Sequence, residues 1–320
     1  MLVREPLDFQ SNRLFDLWSG ERHYIVKEYL KADELELAPL REYKTLHLLS
    51  SLDIAPRPVF YDSSIGPFVV YEYMDGEMWD RRPIPANGLE HLAKLWLKIQ
   101  SVQADWISRG QERSIQEIVS DLKCQFENYL EWTRRYHLPG ERAASLCLEL
   151  LGCRRPILDE LASMQPGLCF CRADPRFANV IQRPGGKLGM VDWEDSGLRD
   201  PAKELVDIVS HPNQEDLLDW NEWKPFIEVY LKYHSERDRD IEKRIHFYMG
   251  LVPFFWLAIL LRGGMNRAAT GRLDHHWTVN GLPANLRLQR YLARAQAWPD
   301  HYFEPALNHL REINFFPIAD

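Results

Sequence analysis

The chain has 320 residues, 45% of them hydrophobic and 27% charged, which is enough for roughly two domains with cores of their own and excludes a disordered polymer. Its formal net charge of −8 argues against a broad nucleic-acid-binding surface, which needs a surplus of Lys and Arg over the phosphates. The opening "MLVREPLDFQ" carries no apolar signal core, so a cytoplasmic protein is expected. "NRLFDLW" and "HYIVKEYL" alternate in polarity and read as a hairpin joined by "SGER", a turn longer than the two-residue kinds. In "APLREYKTLHLLSSL" Pro39 is expected to be the first helical residue, with Tyr43, Leu46 and Leu49 on the buried face. "RPVFYD" and "PFVVYEYM" read as two further strands.

At "DGEMWDRRPIPANG", residues 75–88, the composition turns to Gly, Pro and charge, which places a domain connection there. Beyond it helices dominate: Leu89, Leu92, Trp96 and Ile99 form one stripe, and 114–135 and 143–163 follow. Within 168–194 "CFC", "NVIQ" and "LGMVDW" read as short strands, with "RPGGK" a plain turn that lacks phosphate-loop spacing. The apolar run "LVPFFWLAILL", residues 251–261, is too short to span a bilayer and reads as a buried helix following Pro253, so no membrane partner is expected. Cys124, Cys147, Cys153, Cys169 and Cys171 are odd in number and lack C-x-x-C spacing, which predicts reduced thiols rather than a disulfide framework or a zinc site.

The stretch "CFCRADPRFANVI" sets Arg172, Asp174 and Asn179 in an otherwise apolar run, and "VDWE" brings Asp192 eighteen positions after Asp174. Hard oxygen donors on loops beside strands suit Mg²⁺, which takes one or two carboxylates together with substrate phosphates. Asn179 and Asp192 are therefore the candidate metal ligands. Asp174, between strand and ligand, suits a group that accepts or orients the proton of an attacking hydroxyl.

These strings resemble the aminoglycoside phosphotransferase and choline kinase family, relatives of the protein kinases. The family's catalytic loop, His-Gly-Asp with Asn five residues on, is matched at Asp174 and Asn179, and its Ile-Asp-Trp-Glu metal motif by "VDWEDSGLRDPAKEL" with Asp192. Asp200 matches a later Asp expected to support the loop or cap the helix that follows. The resemblance implies that Lys27 of "YIVKEYL" contacts the α/β-phosphates, that Glu42 is its ion-pair partner, that Ser11 and Asn12 lie beside the phosphates, and that backbone near Glu72, Tyr73 and Met74 binds adenine. It implies an α+β, bilobal protein-kinase-like fold: residues 1–75 a small antiparallel-sheet lobe with one helix for nucleotide, residues 76–320 a larger, mostly helical lobe for catalysis and acceptor binding. Identifiable motifs cover roughly residues 10–210. The sequence departs from the pattern where the family's His and Gly become Arg172 and Ala173. Arg172 is expected to support the loop, on the same strand face as Asp174 but deeper, with a phosphate contact as the alternative.

The expectation is an ATP- and Mg²⁺-dependent kinase that transfers the γ-phosphate to a hydroxyl of a small molecule. Only five residues separate Glu194 from Asp200, too few for a peptide-binding activation segment. Residues 210–320 should shape the acceptor pocket, where "NQEDLLDWNEW" and "LDHHWTVNG" could suit an amino- or choline-like cation. His275 and His276 lack a metal-ligand partner at the right spacing and read as solvated or packed. Two alternatives stand: a catalytically impaired nucleotide-binding module of the same fold, and a metal-dependent phosphohydrolase, which has no need of Lys27, Glu42 or a hinge.

Overall fold

The computed structural model describes residues 2–4, 12–30, 37–81, 84–85, 87–104, 114–137, 140–218, 220–273, 277–279, 281–297 and 315. Ser11, His275 and His276 therefore lie outside the described residues. The elements in chain order are β1 (Leu2–Arg4), β2 (Asn12–Ser19), β3 (Arg22–Tyr29), α1 (Leu37–Ser50), β4 (Pro58–Tyr61), β5 (Phe68–Glu72), β6 (Glu77–Met78), α2 (Gly88–Gln100), α3 (Ile115–Arg135), α4 (Glu141–Cys153) and α5 (Arg155–Ser163). They continue with β7 (Cys169–Cys171), β8 (Val180–Gln182), β9 (Leu188–Met190), β10 (Gly197–Arg199), α6 (Pro201–Ser210), α7 (Trp220–Ser235), α8 (Ile241–Ala269), β11 (Thr278–Val279), β12 (Leu282–Pro283) and α9 (Ala284–Ala297).

By packing, the chain forms two compact units, one of residues 1–109, 168–200 and 216–233, the other of 110–167, 201–215 and 234–320. This partition differs from a cut at residue 75, because residues 168–200 pack with the N-terminal segment: Met190 N–H donates to the Ile54 carbonyl at 2.7 Å, and β8 pairs with β6.

In the first unit five antiparallel strands run in the order β1-β2-β3-β5-β4. The β2–β3 turn is tighter than the sequence predicts: Ser19 pairs with Arg22, leaving only Gly20 and Glu21 in the loop, with Gly20 at φ 61°. Glycine takes that positive φ without a Cβ clash, which lets a two-residue hairpin follow the strand twist. Helix α1 begins two residues before Pro39 and buries Ala38, Pro39, Glu42, Thr45, Leu46 and Leu49, while Tyr43 is half-buried. The buried stripe thus includes a glutamate. Leu89, Leu92, Trp96 and Ile99 of α2 are buried, and Gln100 Nε2 donates to Tyr230 Oη on α7 at 2.7 Å. β7 pairs with β10, and β8 with β9 and β6.

Among the described residues the regular elements of the second unit are helices and the β11–β12 pair. Ser114 caps α3 through a reciprocal box with Glu117, its Oγ accepting from the Glu117 N–H at 3.2 Å. The helix expected over 143–163 is two helices, α4 and α5, parted at Arg154. Pro156 explains the break, since it has no N–H to donate back to the Gly152 carbonyl and its ring crowds that carbonyl. Helix α8 holds the apolar run but starts at Ile241, so Pro253 lies inside it and not at its start. At 29 residues, with mean hydropathy 1.6 over its most apolar 18, it is long and apolar enough to cross a membrane by length and composition, yet 72% of that window is buried in the protein. Packing against α3, where Phe126 meets Phe254 at a 6.3 Å centroid distance, and against α6 accounts for the burial.

Candidate active site

Strand alternation places Ile25, Lys27 and Tyr29 on one buried face of β3, which carries a lysine into the core with 2% exposure. A buried ammonium must be paired, and three carboxylates surround it. Lys27 Nζ donates to Glu42 Oε2 at 2.7 Å, lies 3.0 Å from Glu194 Oε2, and donates to Asp192 Oδ1. Glu42 is fixed in turn by the Tyr29 hydroxyl, which donates to its Oε2, and by the Trp193 N–H, which donates to its Oε1 at 3.2 Å.

Burial works against the Lys27 ammonium, but Asp192, Glu42 and Glu194 together hold its pKa well above the ordinary lysine value. Burial raises Glu42 above the usual carboxylate range in spite of Lys27, and raises Glu194 in the same way. At Asp192 burial also opposes ionisation, and the charge of Asp174 adds to it, yet Lys27 and Arg172 outweigh both and lower the pKa. One ammonium thus faces three carboxylates whose oxygens lie within 4.8 Å of one another.

Asp192 is not on a strand. β9 ends at Met190, and Asp192 sits at φ 68°, a left-handed conformation that costs a non-glycine residue about 1–2 kcal/mol. Its backbone is held there: Arg172 Nη2 donates to the Asp192 carbonyl at 2.8 Å, and the Val191 N–H to the Asn179 carbonyl at 3.1 Å. Asn179, ending a 3₁₀ turn over Phe177–Asn179, donates from Nδ2 to Asp192 Oδ2 at 3.3 Å.

Arg172 is 1% exposed, its Nε donates to the Asp174 carbonyl at 2.8 Å, and its guanidinium lies 5.0 Å from the Trp193 ring centroid. It therefore joins the Asp174 loop to the Asp192 loop through main-chain carbonyls. The strand-face argument for Arg172 fails, because β7 stops at Cys171 and Ala173 turns left-handed at φ 69°. The Asp174 carboxylate meets the half-exposed Arg176, whose Nε is 3.0 Å from Oδ2 and 3.1 Å from Oδ1.

Among the sequence-predicted residues, Lys27, Glu42, Asn179 and Asp192 are joined by these bonds, and Asp174 through Arg172. Asn12 joins them as well, its Nδ2 donating to Glu194 Oε2 at 2.6 Å. Glu72, Tyr73 and Met74 lie apart, at the end of β5. The Glu72 N–H donates to the Arg57 carbonyl at 2.9 Å and the Tyr73 N–H to the His23 carbonyl at 3.0 Å, so an adenine there would have to use other groups. Met74 packs its sulfur where a Cβ on Gly189 would stand, at 2.4 Å from that position. Asp200 is fully buried immediately before α6.

Sequence reasoning missed Glu194, although it stands two positions past Asp192 in "VDWE", and it missed Arg176. It also offered acidic and aromatic side chains to a cationic acceptor that are committed elsewhere. Glu215 is buried against Arg287 and Arg294 and accepts from Tyr291 Oη at 2.8 Å, while Trp277 is buried beneath Arg267, 5.7 Å from its centroid.

Similar solved structures are kinases. The choline kinase LicA from Streptococcus pneumoniae is 19% identical with TM-score 0.61, covering 91% of this chain and 92% of its own. LicA in complex with AMP matches at 19% identity and TM-score 0.59, covering 91% and 90%. The gentamicin complex of APH(2")-IIa matches at 16% identity and TM-score 0.60, covering 85% and 88%. The fold is thus protein-kinase-like, with an antiparallel-sheet N-terminal region and a mostly helical remainder. No curated protein matches the chain. The sequence profile of the phosphotransferase enzyme family matches residues 3–241, three quarters of the length, and the chain belongs to that family.

Proposed function

We propose that this phosphotransferase is an ATP- and Mg²⁺-dependent kinase that phosphorylates a hydroxyl of a small molecule, with residues 1–75 serving the nucleotide and 76–320 the chemistry and the acceptor. The observation that carries the reading is Lys27, a buried lysine fixed by Glu42 on a neighbouring helix and turned toward Asp192. A phosphohydrolase has no use for that pair. LicA, to which the fold is similar, was solved with AMP, which supports the nucleotide.

Mg²⁺ fits the residues present: three carboxylates against one ammonium leave negative charge in excess, and all the donors are oxygens, which a hard cation prefers. Asn179 and Asp192 would hold it, and when bound it would neutralise charge on the β- and γ-phosphates. Lys27 would leave part of its carboxylate shell for the α/β-phosphates, with Glu42 keeping its ammonium in place. Asp174 would take or orient the proton of the acceptor hydroxyl, and Arg172 would hold the Asp174 and Asp192 loops in register. An amino- or choline-like acceptor is favoured by two similar structures, one a choline kinase and the other a complex of APH(2")-IIa with gentamicin. A panel of hydroxylated small molecules, screened for acceptor-dependent ATP consumption, tests the proposal. Asp174→Asn should lower that turnover by ~10²–10⁴-fold with Mg·ATP binding retained. Undiminished turnover in the variant would remove Asp174 from the mechanism, and Mg·ATP binding without transfer to any acceptor would favour the impaired module.

A further inference from the structure

We propose that Cys169 and Cys171 are a dithiol modification site that closes to an intrachain disulfide in the presence of a low-molecular-weight disulfide, and that closure loosens the loops carrying Asp174 and Asp192. The two cysteines begin and end the three-residue strand β7. Residues two apart on a strand share a face, and their Sγ atoms are 3.6 Å apart. A disulfide bond of ~2.05 Å asks them to approach by roughly 1.5 Å.

Their exposure sets the order of reaction. Cys169 is half-buried and Cys171 fully buried, so the Cys169 thiolate attacks the small disulfide first. One small thiolate leaves and takes up the proton that Cys169 released. The Cys171 sulfur then attacks Cys169 Sγ in the mixed disulfide, and the second small thiolate leaves with the Cys171 proton. Two protein thiols are oxidised by two electrons in all, and one small disulfide is reduced to two thiols.

The cost falls on the strand. Same-face Cβ atoms two residues apart on an extended strand are about 6.4–6.8 Å apart, whereas a disulfide holds its Cβ atoms roughly 3.5–4.5 Å apart, so β7 must contract. Cys171 pairs with Gly197 and Cys169 with Arg199 of β10, and Cys171 Sγ lies 3.7 Å from the Arg199 carbonyl. Contraction disturbs that register. The next residue is Arg172, whose two bonds at 2.8 Å hold the Asp174 and Asp192 carbonyls, so movement at Cys171 reaches both loops.

The test uses a Cys124→Ser, Cys153→Ser background, because those two thiols are exposed. Cys147 can stay, since burial pushes its thiol pKa well up and keeps it inert. Oxidised glutathione should remove two hydrogen masses from the peptide holding both residues, reversibly with dithiothreitol. Hydrogen exchange should rise at 172–176 and 191–194, and Mg²⁺-dependent ATP affinity should fall about tenfold, as for one lost charge-assisted hydrogen bond. Adding Cys169→Ser should abolish all three changes. A peptide that stops at the mixed disulfide, or a closed disulfide with unchanged exchange at both loops, overturns the proposal. The affinity readout rests on the kinase reading; if the reduced protein binds no ATP, that reading fails alone, and mass and exchange still decide the dithiol site.

Discussion

Arg172→His puts the family's histidine back at the position where this chain departs from the pattern, and the structure gives the cost. The guanidinium is 1% exposed, makes two charge-assisted bonds at 2.8 Å to the carbonyls of Asp174 and Asp192, and stacks over Trp193. An imidazole at the same Cβ is shorter and presents its two nitrogens in divergent directions, so it can serve one carbonyl at most. One charge-assisted bond is worth about 1.5–3 kcal/mol, and the cation–π contact about 0.5–2 kcal/mol. Two such bonds and the ring contact are lost and one neutral imidazole bond of about 0.5–1.5 kcal/mol is regained, which leaves a net loss of about 3–7 kcal/mol. Denaturant unfolding should show that loss as a lower midpoint at unchanged slope. Because Arg172 touches loop backbone, kcat should fall while the KM values for nucleotide and acceptor keep their ratio. A stability within about 0.5 kcal/mol of the parent, the range of an inconsequential surface change, would refute the clamp. A loss confined to one substrate would mean that the guanidinium reaches that substrate.

Asp192→Ala should abolish the tightening of nucleotide binding by Mg²⁺, since it removes the carboxylate nearest to both Lys27 and Asn179; calorimetry showing the same Mg²⁺ effect in the variant would overturn the metal assignment. His234 supplies an acid limb to stability. Burial, helped by Arg237 and Arg244 and opposed by Asp238, lowers its pKa from 6.5 to about 4. The unfolded chain therefore takes the proton first as pH falls, and up to about 3 kcal/mol is lost progressively between pH 6.5 and 4. His234→Gln should flatten that limb in pH-dependent thermal unfolding; an unchanged slope would assign it to other groups.

The residues legible in the sequence are those whose spacing is set within one short loop. Asp174, Asn179 and Asp192 stand in two strings around "ANVI" and "VDWE", and the turn and strand geometry between them is local. Lys27 and Glu42 were legible only through the family resemblance of "YIVKEYL" and of the helix that follows it. What stayed hidden depends on partners that local pattern cannot carry. Arg172 was expected to support the loop, but its partners are carbonyl oxygens, which every residue has and no residue type marks. Pro253 signals a helix start, but within α8 burial on several sides holds the helix through it. Glu215 looked available to a cation because Arg287 and Arg294 are more than seventy positions away.

The charge centre is the plainest case. Asn12 reaches Glu194 across 182 positions and Lys27 reaches Asp192 across 165. Each of the three acids alone is an ordinary residue of a loop or helix, and each would have been solvated at small cost. Brought together around one buried lysine, Glu42 and Glu194 are raised by burial, with the charge of Asp192 adding to it in spite of Lys27, while Lys27 and Arg172 lower Asp192. The excess of negative charge is a property of the assembled fold. It gives the proposed metal a physical ground independent of the motif, because a divalent cation at Asp192 and Asn179 would relieve a repulsion that Lys27 relieves only in part.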